Sequence, residues 1–436
     1  MVLMRKFAIA ALLLSQVAPV ALAQDKQTTP PVEKKVELTA EQKSSVLNDV
    51  QTTLFEKSFV PGIDFKKWPE FVEKKKESIE KADTIAEFTR VVNQALKDFG
   101  ISHCRLMTPR AAAQRGKTTD IGSGLNGTAS DEGLVVRRVI DGGPGKQVGI
   151  AENDVITKLN GNKPTSFDQL SGEKGTKLEL EVKKVDGSVV KVDLVLDVFS
   201  TVRKETLTWI NEDTAVLRVF TFAAGYSREN LEGLIKEANG KAKNLILDLR
   251  SNGGGAVNNL NHLLSLLLPK DTDYGTFVSK KLVSDFVAAK PDAAVTPEAV
   301  AEWAPRKAKT RELKTPAFSG KIAVLINRGS GSASEICAAA LSERASAPLV
   351  GTQSAGAVLS STYAKLSEGF MMQYPLSDYI TAKGMRLESN PLKPTHEVKA
   401  VRQGDGPDPA VEKAVEVLKG TQLRQQRKIG EINRIL

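Results

Sequence analysis

A serine among small residues lies where the sequence predicts a strand followed by a helix. The segment "KIAVLI", residues 321–326, is an apolar run typical of a buried strand. A small-residue turn and a helical stretch, "NRGSGSASEICAAAL", follow it as residues 327–341. Ser332 at such a turn is suited to be the nucleophile of an acyl transfer. The alternative is a helix cap, because Ser332 and Glu335 form the S-x-x-E pattern of a capping box, and both roles can coexist.

A serine hydroxyl needs an adjacent base before it can attack a carbonyl. Histidine suits this task near neutral pH because its pKa lies close to neutrality. The chain has three histidines, His103, His262 and His396. His262 belongs to a leucine-rich helical segment, where we expect it to be packed or at the surface. Which histidine could serve Ser332 depends on the fold that brings distant segments together.

The composition restricts the class of protein. A chain of 436 residues is long enough for two or three domains, and 41% apolar with 26% charged residues is ordinary for a soluble globular protein. The net charge of +9 is spread along the chain and aromatic residues make up 5%, so no basic, aromatic-rich groove for nucleic acid is predicted. No Cys/His spacing fits a zinc site, and we predict neither a metal nor a cofactor.

The N-terminus has the pattern of a secretory signal. Residues 1–23 combine two basic residues, an apolar stretch and an A-x-A cleavage site at 21–23. Polar residues and a proline interrupt the apolar stretch, which favours a cleaved signal over a retained anchor. No other segment is long and apolar enough to span a bilayer. We therefore expect a periplasmic or secreted protein without a stable membrane span.

The two cysteines, Cys104 and Cys337, permit two interpretations. In an oxidising compartment they could form a disulfide. They could equally be small buried apolar residues, and we interpret both in this way. A thiol nucleophile is the least favoured alternative.

A unit between about residues 122 and 198 resembles a PDZ domain. The segment "DGGPGKQVGIAENDVITKLNG", residues 141–161, has the spacing of the PDZ consensus, and two alternating strands follow as a hairpin at 176–196. The resemblance implies that a glycine-rich loop binds the C-terminal carboxylate of a peptide. That loop is formed by Gly122, Ser123, Gly124 and Leu125. A plain turn is the alternative, and a nucleotide fingerprint is rejected because no strand precedes the loop and no helix follows it.

Four segments in order resemble the carboxyl-terminal processing peptidases (tail-specific proteases) and the related tricorn core peptidases. They are "GISHCRL" at 100–106, the PDZ-like unit, "LILDLRSNGGG" at 245–255 and "GSGSASEI" at 329–336. The resemblance extends over roughly residues 38–418. It implies a mixed α/β (α+β) peptidase core of ββα units, an inserted PDZ-like β-rich domain and an N-terminal helical region.

The same resemblance and the composition divide the chain into seven segments. They are a signal peptide at 1–23, a flexible linker at 24–37, an N-terminal helical region at 38–100, a strand and connection at 101–118, the PDZ-like domain at 119–200, the peptidase core at 201–405 and a C-terminal helical tail at 406–436.

The catalytic base of the processing peptidases is missing from this sequence. In those enzymes the motif serine, here Ser332, is deprotonated by a lysine, and the corresponding position in "SAGAV" is Ala357. Alanine cannot accept a proton, and Lys365 lies too far along the predicted hairpin to replace the lysine. A peptidase with this sequence therefore needs a different base.

The tricorn peptidases use a different set of residues, and each has a match here. Their serine-histidine pair corresponds to Ser102 and His103 in a predicted strand, "ISHCRLM". Their glutamate corresponds to Glu388 in "GMRLESNPLKP". The resemblance implies that Glu388, directly or through Ser102, orients the imidazole and stabilises its charged form. Alternatives remain for two of them: His103 as a structural residue and Glu388 as a surface residue of a turn.

The oxyanion of the reaction needs backbone donors beside the serine. We expect the N–H groups of Ala333 and Gly254 to form this oxyanion hole. The resulting prediction is a secreted or periplasmic serine endopeptidase that cleaves protein or peptide substrates with accessible C-termini. Two alternatives remain: a catalytically inactive, PDZ-type peptide-binding scaffold, and a binder of apolar ligands in which Ser332 only caps a helix. The sequence leaves oligomer formation open.

Overall fold

The structure is a computed structural model that describes residues 38–400 and 406–420. The predicted signal peptide and linker, and the part of the C-terminal tail at 421–436, lie outside the described residues. Among the helices of the described segments, none is long and apolar enough to cross a membrane.

The N-terminal region is helical and ends in a short strand. Two S/T-x-x-E/Q patterns, Thr39 with Gln42 and Thr84 with Glu87, form capping boxes at helix starts. The elements are α1 (Ala40–Thr52), a π-helical turn (Thr53–Lys57), a 3-10 turn (Phe65–Lys67), α2 (Trp68–Glu73), α3 (Lys76–Glu80), α4 (Ile85–Asp98), β1 (Arg105–Met107) and α5 (Pro109–Gln114). Their apolar side chains form a cluster around Phe88, which packs edge-on against Phe370 of the core.

A β-rich unit follows. Its elements are β2 (Thr119–Gly122), β3 (Leu125–Ser130), β4 (Gly133–Val139), α6 (Pro144–Gln147), β5 (Val155–Leu159), a 3-10 turn (Phe167–Leu170), β6 (Lys177–Lys183), β7 (Val189–Val195) and β8 (Asp197–Ser200). Five strands form one sheet in the order β3-β4-β5-β6-β7, and β2 pairs with β8 where the chain enters and leaves the unit. Its own apolar core includes Leu134, Ile156 and Val182.

The remaining elements build two sheets around the largest core cluster. They are β9 (Thr206–Trp209), β10 (Thr214–Arg218), α7 (Arg228–Lys241), β11 (Asn244–Asp248), α8 (Val257–Leu267), β12 (Asp273–Ser279), α9 (Lys280–Ala289), α10 (Pro297–Trp303), β13 (Ala308–Lys309), β14 (Lys321–Ile326), α11 (Ala333–Ala345), β15 (Leu349–Gly351), β16 (Ser360–Lys365), a 3-10 turn (Ser367–Gly369), β17 (Met371–Thr381), β18 (His396–Glu397) and α12 (409–420).

The first of these sheets has six strands in the order β18-β15-β14-β11-β10-β9 and is parallel except for β9. Helices α8 and α11 pack on one face, while α12 covers apolar side chains of the other. The second sheet joins β1, β12, β13 and β16 to the long strand β17. The early strand β1 therefore lies in the sheet whose last strand leads towards Glu388. The predicted mixed α/β core, inserted β-rich domain and N-terminal helical region are confirmed.

Candidate active site

Ser332 lies at a tight turn between β14 and α11. Its backbone has φ +53° and ψ −120°, a sparsely populated conformation for a residue with a side chain. The N–H of Ser332 donates to the carbonyl of Ala357 at 2.9 Å. Gly254 packs against the turn so closely that a Cβ there would come within 2.7 Å of the Ser332 Cβ. The hydrogen bond to Ala357 and the close packing of Gly254 thus hold the strained turn in place.

His103 reaches Ser332 from the segment between α4 and β1. Its Nε2 atom lies 3.2 Å from Ser332 Oγ. The predicted strand at 101–107 is wrong in its first half: only Arg105–Met107 is a strand, and His103 occupies a turn with φ +58°. Burial lowers the pKa of the His103 imidazole, and the negative charge of Glu388 partly opposes this shift. The turn, rather than a regular strand, directs the imidazole towards the serine.

Ser102 connects His103 with Glu388. Its Oγ lies 2.7 Å from His103 Nδ1 and donates to Glu388 Oε2 at 2.8 Å, while its backbone N–H donates to Glu388 Oε1 at 2.8 Å. Because the Ser102 proton goes to the carboxylate, the Ser102 oxygen is free to accept from Nδ1–H. This leaves the Nε2 lone pair facing Ser332. The network therefore favours the tautomer that a general base requires.

Glu388 is held after the end of β17. Its side chain is 5% exposed, and Oε2 also accepts from the N–H of Val358 at 2.8 Å. Two residues before it, Arg386 bonds the buried Asp378 of β17 at 2.6 Å. The interpretation of Glu388 as an exposed turn residue is therefore wrong. The structure brings together all four residues that the tricorn resemblance indicated.

A second buried carboxylate, Glu335, bonds the backbone of Ser332 rather than the histidine. Glu335 accepts from the N–H of Ser332 at 3.1 Å, Gly356 at 2.8 Å and Ala357 at 3.0 Å, and from the hydroxyl of Ser354 at 2.5 Å. Burial raises the pKa of Glu335, which these hydrogen bonds oppose. The S-x-x-E pattern pointed to the first contact alone. The other three depend on the path of the 354–357 loop, which no local pattern reveals.

The predicted oxyanion donors differ in availability. No hydrogen bond in the described segments of the chain uses the N–H of Ala333, at the start of α11. The N–H of Gly254 already donates to Asn252 Oδ1 at 3.0 Å. The choice of Gly254 as a donor therefore needs correction. Its role in this geometry is steric, because only a residue without a Cβ can approach Ser332 so closely.

The glycine-rich loop joins β2 to β3. The expectation that no strand precedes this loop is therefore wrong, but a strand rather than a helix follows it, as expected. Gly122 ends β2, Ser123 is buried, and the N–H of Leu125 lies 3.3 Å from Ser123 Oγ. Gly124 has φ +72°, and a Cβ there would meet the backbone of Gly143 at 2.9 Å. The loop is thus packed closely against the start of α6 and requires glycine at this position.

The other candidate residues lie in different settings. His262 is buried between Tyr226, at 2.9 Å, and Glu232, at 3.2 Å, as a packed residue. Both cysteines are free, so no disulfide joins them. Burial raises the pKa of the Cys104 thiol to about 12, which opposes a thiolate role. Within the described residues, no cluster of His, Cys, Asp and Glu has the arrangement of a metal site.

The comparisons with known families agree with this architecture. Residues 213–398 match the description "Peptidase family S41", and residues 112–183 match "PDZ domain". The resemblance to S41-type processing peptidases with an inserted PDZ domain, which the sequence motifs indicated, is thus supported over these two segments.

Two similar curated proteins are proteases. The chain is 25% identical over 281 residues to the carboxy-terminal processing protease CtpA of Bacillus subtilis, a match that covers 63% of this chain and 55% of the relative. It is also 25% identical over 274 residues to the tail-specific protease of Haemophilus influenzae, covering 58% of this chain and 36% of the relative. The chain thus spans about half or less of the length of these relatives.

Solved structures share the fold at low sequence identity. Mature CPAF complexed with lactacystin has a TM-score of 0.51 at 13% identity, covering 90% of this chain and 100% of that one. A putative S41 protease from Bacteroides fragilis has a TM-score of 0.50 at 18% identity, covering 76% of this chain and 90% of that one. At these identities the likeness concerns the fold alone.

Proposed function

We propose that this chain is an exported serine endopeptidase that cleaves unfolded or tail-exposed proteins by acyl transfer. One observation carries the proposal: a continuous set of hydrogen bonds runs from Ser332 Oγ through the His103 ring and the Ser102 hydroxyl to Glu388. Each separation is within or close to hydrogen-bond reach, which is the geometric requirement for a general base.

The first chemical step uses His103 as base. As Ser332 Oγ attacks the scissile carbonyl carbon, its proton passes to His103 Nε2. The resulting imidazolium donates from Nδ1 to Ser102 Oγ, and the buried negative charge of Glu388 stabilises it. The proton then moves from Nε2 to the leaving amine, the C–N bond breaks and an acyl-enzyme remains. His103 next deprotonates a water that releases the acyl group and restores Ser332.

The negative charge on the substrate oxygen develops beside the start of α11. The N–H of Ala333 is available there, and the helix N-terminus favours negative charge. One well-placed donor of this kind lowers the barrier by about 3 kcal/mol. Beside this turn Gly253 borders open space, since a Cβ there would meet no atom within 4 Å, so a substrate backbone can approach at that position.

The absence of a lysine from the 354–358 loop supports a histidine mechanism. The carbonyl of Ala357 accepts from the N–H of Ser332, so position 357 is beside the nucleophile, where a lysine side chain could act as base. Alanine has no titratable group, and Lys365 is the last residue of β16, eight positions further along the chain. The imidazole of His103 supplies the base that the loop does not.

Substrate capture is assigned to the PDZ domain. We propose that the loop from Gly122 to Leu125 binds the C-terminal carboxylate of a substrate through backbone N–H groups, and that the substrate strand adds to the sheet. The signal pattern at residues 1–23 supports export. Substrates of this kind agree with the names of the relatives, a carboxy-terminal processing protease and a tail-specific protease.

Ser332→Ala tests the nucleophile directly. The variant should lose cleavage of an unfolded protein substrate and labelling by a fluorophosphonate probe, while its circular dichroism spectrum remains that of the wild type. We expect at least about 10⁴-fold lower kcat, as for removal of a serine nucleophile elsewhere. A matched control is Ser342→Ala on the same helix α11, which should label and cleave normally.

Two outcomes would contradict the proposal. Wild-type turnover in the Ser332→Ala variant would exclude Ser332 as nucleophile. A folded wild-type protein that binds C-terminal peptides but neither labels nor cleaves would instead indicate the peptide-binding scaffold.

A further inference from the structure

Strand β7 is an open edge of the PDZ sheet. It pairs with β6 and, within the described residues, with no other strand. Helix α6 contacts β7 but forms no hydrogen bond with it. Val189 is 58% exposed and Val195 is 43% exposed. An edge strand with exposed apolar residues is a template for pairing with another chain.

The backbone groups that face outwards on β7 follow from its pairing with β6. At one end of the hairpin the N–H of Lys184 donates to Ser188 at 2.8 Å, and at the other the N–H of Leu196 donates to Thr176 at 2.9 Å. Hydrogen-bonded positions alternate along an antiparallel pair, so the even-numbered residues of β7 bond to β6. The odd-numbered residues therefore direct their N–H and C=O groups outwards: Val189, Lys191, Asp193 and Val195.

The sequence of β7, "VVKVDLV", is complementary to itself when it is reversed about Val192. In that antiparallel register Lys191 lies opposite Asp193 of a second copy, and Val189 lies opposite Val195. Both members of each pair have outward-facing backbone groups, so each pair can exchange two hydrogen bonds. Opposite charges and β-branched residues are the cross-strand pairs that stabilise a sheet.

We propose that the β7 edge pairs antiparallel with the β7 edge of a second copy of this chain, forming a symmetric dimer about Val192. The two five-stranded sheets then join into one continuous sheet. The contact is isologous, because the same patch serves on both subunits.

The charges select the register. A shift of the two-fold axis to residue 191 would place Lys191 opposite its own copy, and a shift to residue 193 would do the same with Asp193. Like charges directly opposite each other destabilise a pair. A single lysine on an edge strand ordinarily discourages pairing. Here Asp193, two positions away on the same face, neutralises that lysine in the register centred on Val192.

The dimer leaves the proposed peptide site accessible. Strand β3, which follows the loop from Gly122 to Leu125, is the opposite edge of the same sheet. One dimer would therefore present two such loops. Two tethered sites raise the apparent affinity for a substrate or aggregate that offers two chain ends. The pairing of β7 does not depend on the peptide-binding role.

Charge-reversal variants of the full chain test the pairing. Asp193→Lys and Lys191→Asp each place like charges opposite one another in the dimer. In analytical ultracentrifugation the wild type should dimerise across a concentration series, and each variant should dimerise at least about tenfold more weakly. Mixing the two variants restores opposite charges at every position, so the mixture should form a heterodimer. Glu173→Lys, an exposed change of the same charge in the same domain, is the control and should dimerise normally.

The mixture makes the test independent of folding defects, since two misfolded variants would not rescue each other. A wild type that stays monomeric throughout the series would overturn the proposal. So would variants that dimerise as tightly as the wild type, or a mixture that remains monomeric.

Discussion

Two buried carboxylates, Glu335 and Glu388, lie close to Ser332, and both hold the same segment of the chain. Glu335 accepts from the N–H of Ala357, and Glu388 accepts from the N–H of the next residue, Val358. Both side chains are nearly inaccessible, at 0% and 5% exposed. The segment at 354–358 is therefore fixed by two negative groups, one from helix α11 and one from the chain beyond β17.

The two carboxylates differ in their remaining partners. The other donors to Glu335 are the hydroxyl of Ser354 and two backbone N–H groups. Glu335 therefore bonds only the Ser332 turn and the 354–357 loop. Glu388 instead bonds Ser102, whose hydroxyl contacts the His103 ring. The Glu388 network thus reaches His103, the proposed base, whereas the Glu335 network reaches backbone groups and one hydroxyl. In the proposed mechanism the base comes from a distant segment of the chain, so the loop needs no lysine.

Among the residues bound to the Glu388 and Glu335 networks, the removal of the His103 imidazole should reduce activity most. We expect His103→Ala to lower kcat by about 10³-fold or more, because a positioned base contributes 10²–10⁴-fold. The Ser332 hydroxyl would remain in place, since its turn is held by the backbone bond to Ala357 and the packing of Gly254. Steady-state cleavage of an unfolded substrate measures the effect.

The control is His396→Ala, which removes the histidine of β18. That variant should keep wild-type turnover. Full activity in His103→Ala, or a larger loss in His396→Ala, would show that the base has been assigned to the wrong residue.

Removing the charge of Glu388 should change the pH dependence of kcat/KM, which a change at Glu335 should not do. Burial lowers the pKa of His103 and Glu388 raises it. In the wild type, kcat/KM should rise with pH through a midpoint below the ordinary histidine value of about 6.5. In Glu388→Gln the imidazolium loses its stabilising charge, so the pKa falls further and the acid limb moves to lower pH. The maximum kcat should fall roughly 10²-fold.

An exposed acid of α10 supplies the control, because Glu298→Gln alters the charge by the same amount and Glu298 does not contribute to the pKa shift of His103. Its pH profile should match the wild type. An acid limb that moves to higher pH in Glu388→Gln would contradict the assigned electrostatic role.

The strands, helices and their order were largely predictable because local signals determine them. Apolar runs such as 321–326 and the capping boxes at Thr39 and Thr84 report buried strands and helix starts directly. The exception is informative: the segment at 101–107 has strand-like residues, but its first half forms a turn with His103 at positive φ. Tertiary contacts to Glu388 override local propensity there.

The proposed catalytic set was predictable through resemblance to known motifs, whereas the contacts that support it were not. Ser102, His103, Ser332 and Glu388 are separated by as many as 286 positions in the chain, and no periodicity links them. The occupied N–H of Gly254 and the four donors to Glu335 depend on loop paths. Hydrogen bonds to backbone groups are weakly encoded because any residue type supplies the same N–H.

The smallest effect on activity is expected for Glu335, which holds the loop that lacks the lysine. Glu335→Gln keeps the shape of the side chain but replaces one acceptor oxygen by a donor, so N–H groups of the loop lose partners. Unpaired buried donors cost about 1–3 kcal/mol each, and we expect a lower Tm. A loosened loop should reduce kcat about tenfold through misplacement of Ser332 and Val358.

The pH profile distinguishes this positioning role from the role of Glu388. No interaction with Glu335 shifts the pKa of His103, which burial and Glu388 determine. The acid limb of kcat/KM should therefore remain at its wild-type position in Glu335→Gln, although the plateau falls. The matched control on the same helix is Glu343→Gln, whose carboxylate accepts from Lys383 at the protein surface. A displaced acid limb in Glu335→Gln would mean that Glu335, like Glu388, alters the pKa of the His103 imidazole.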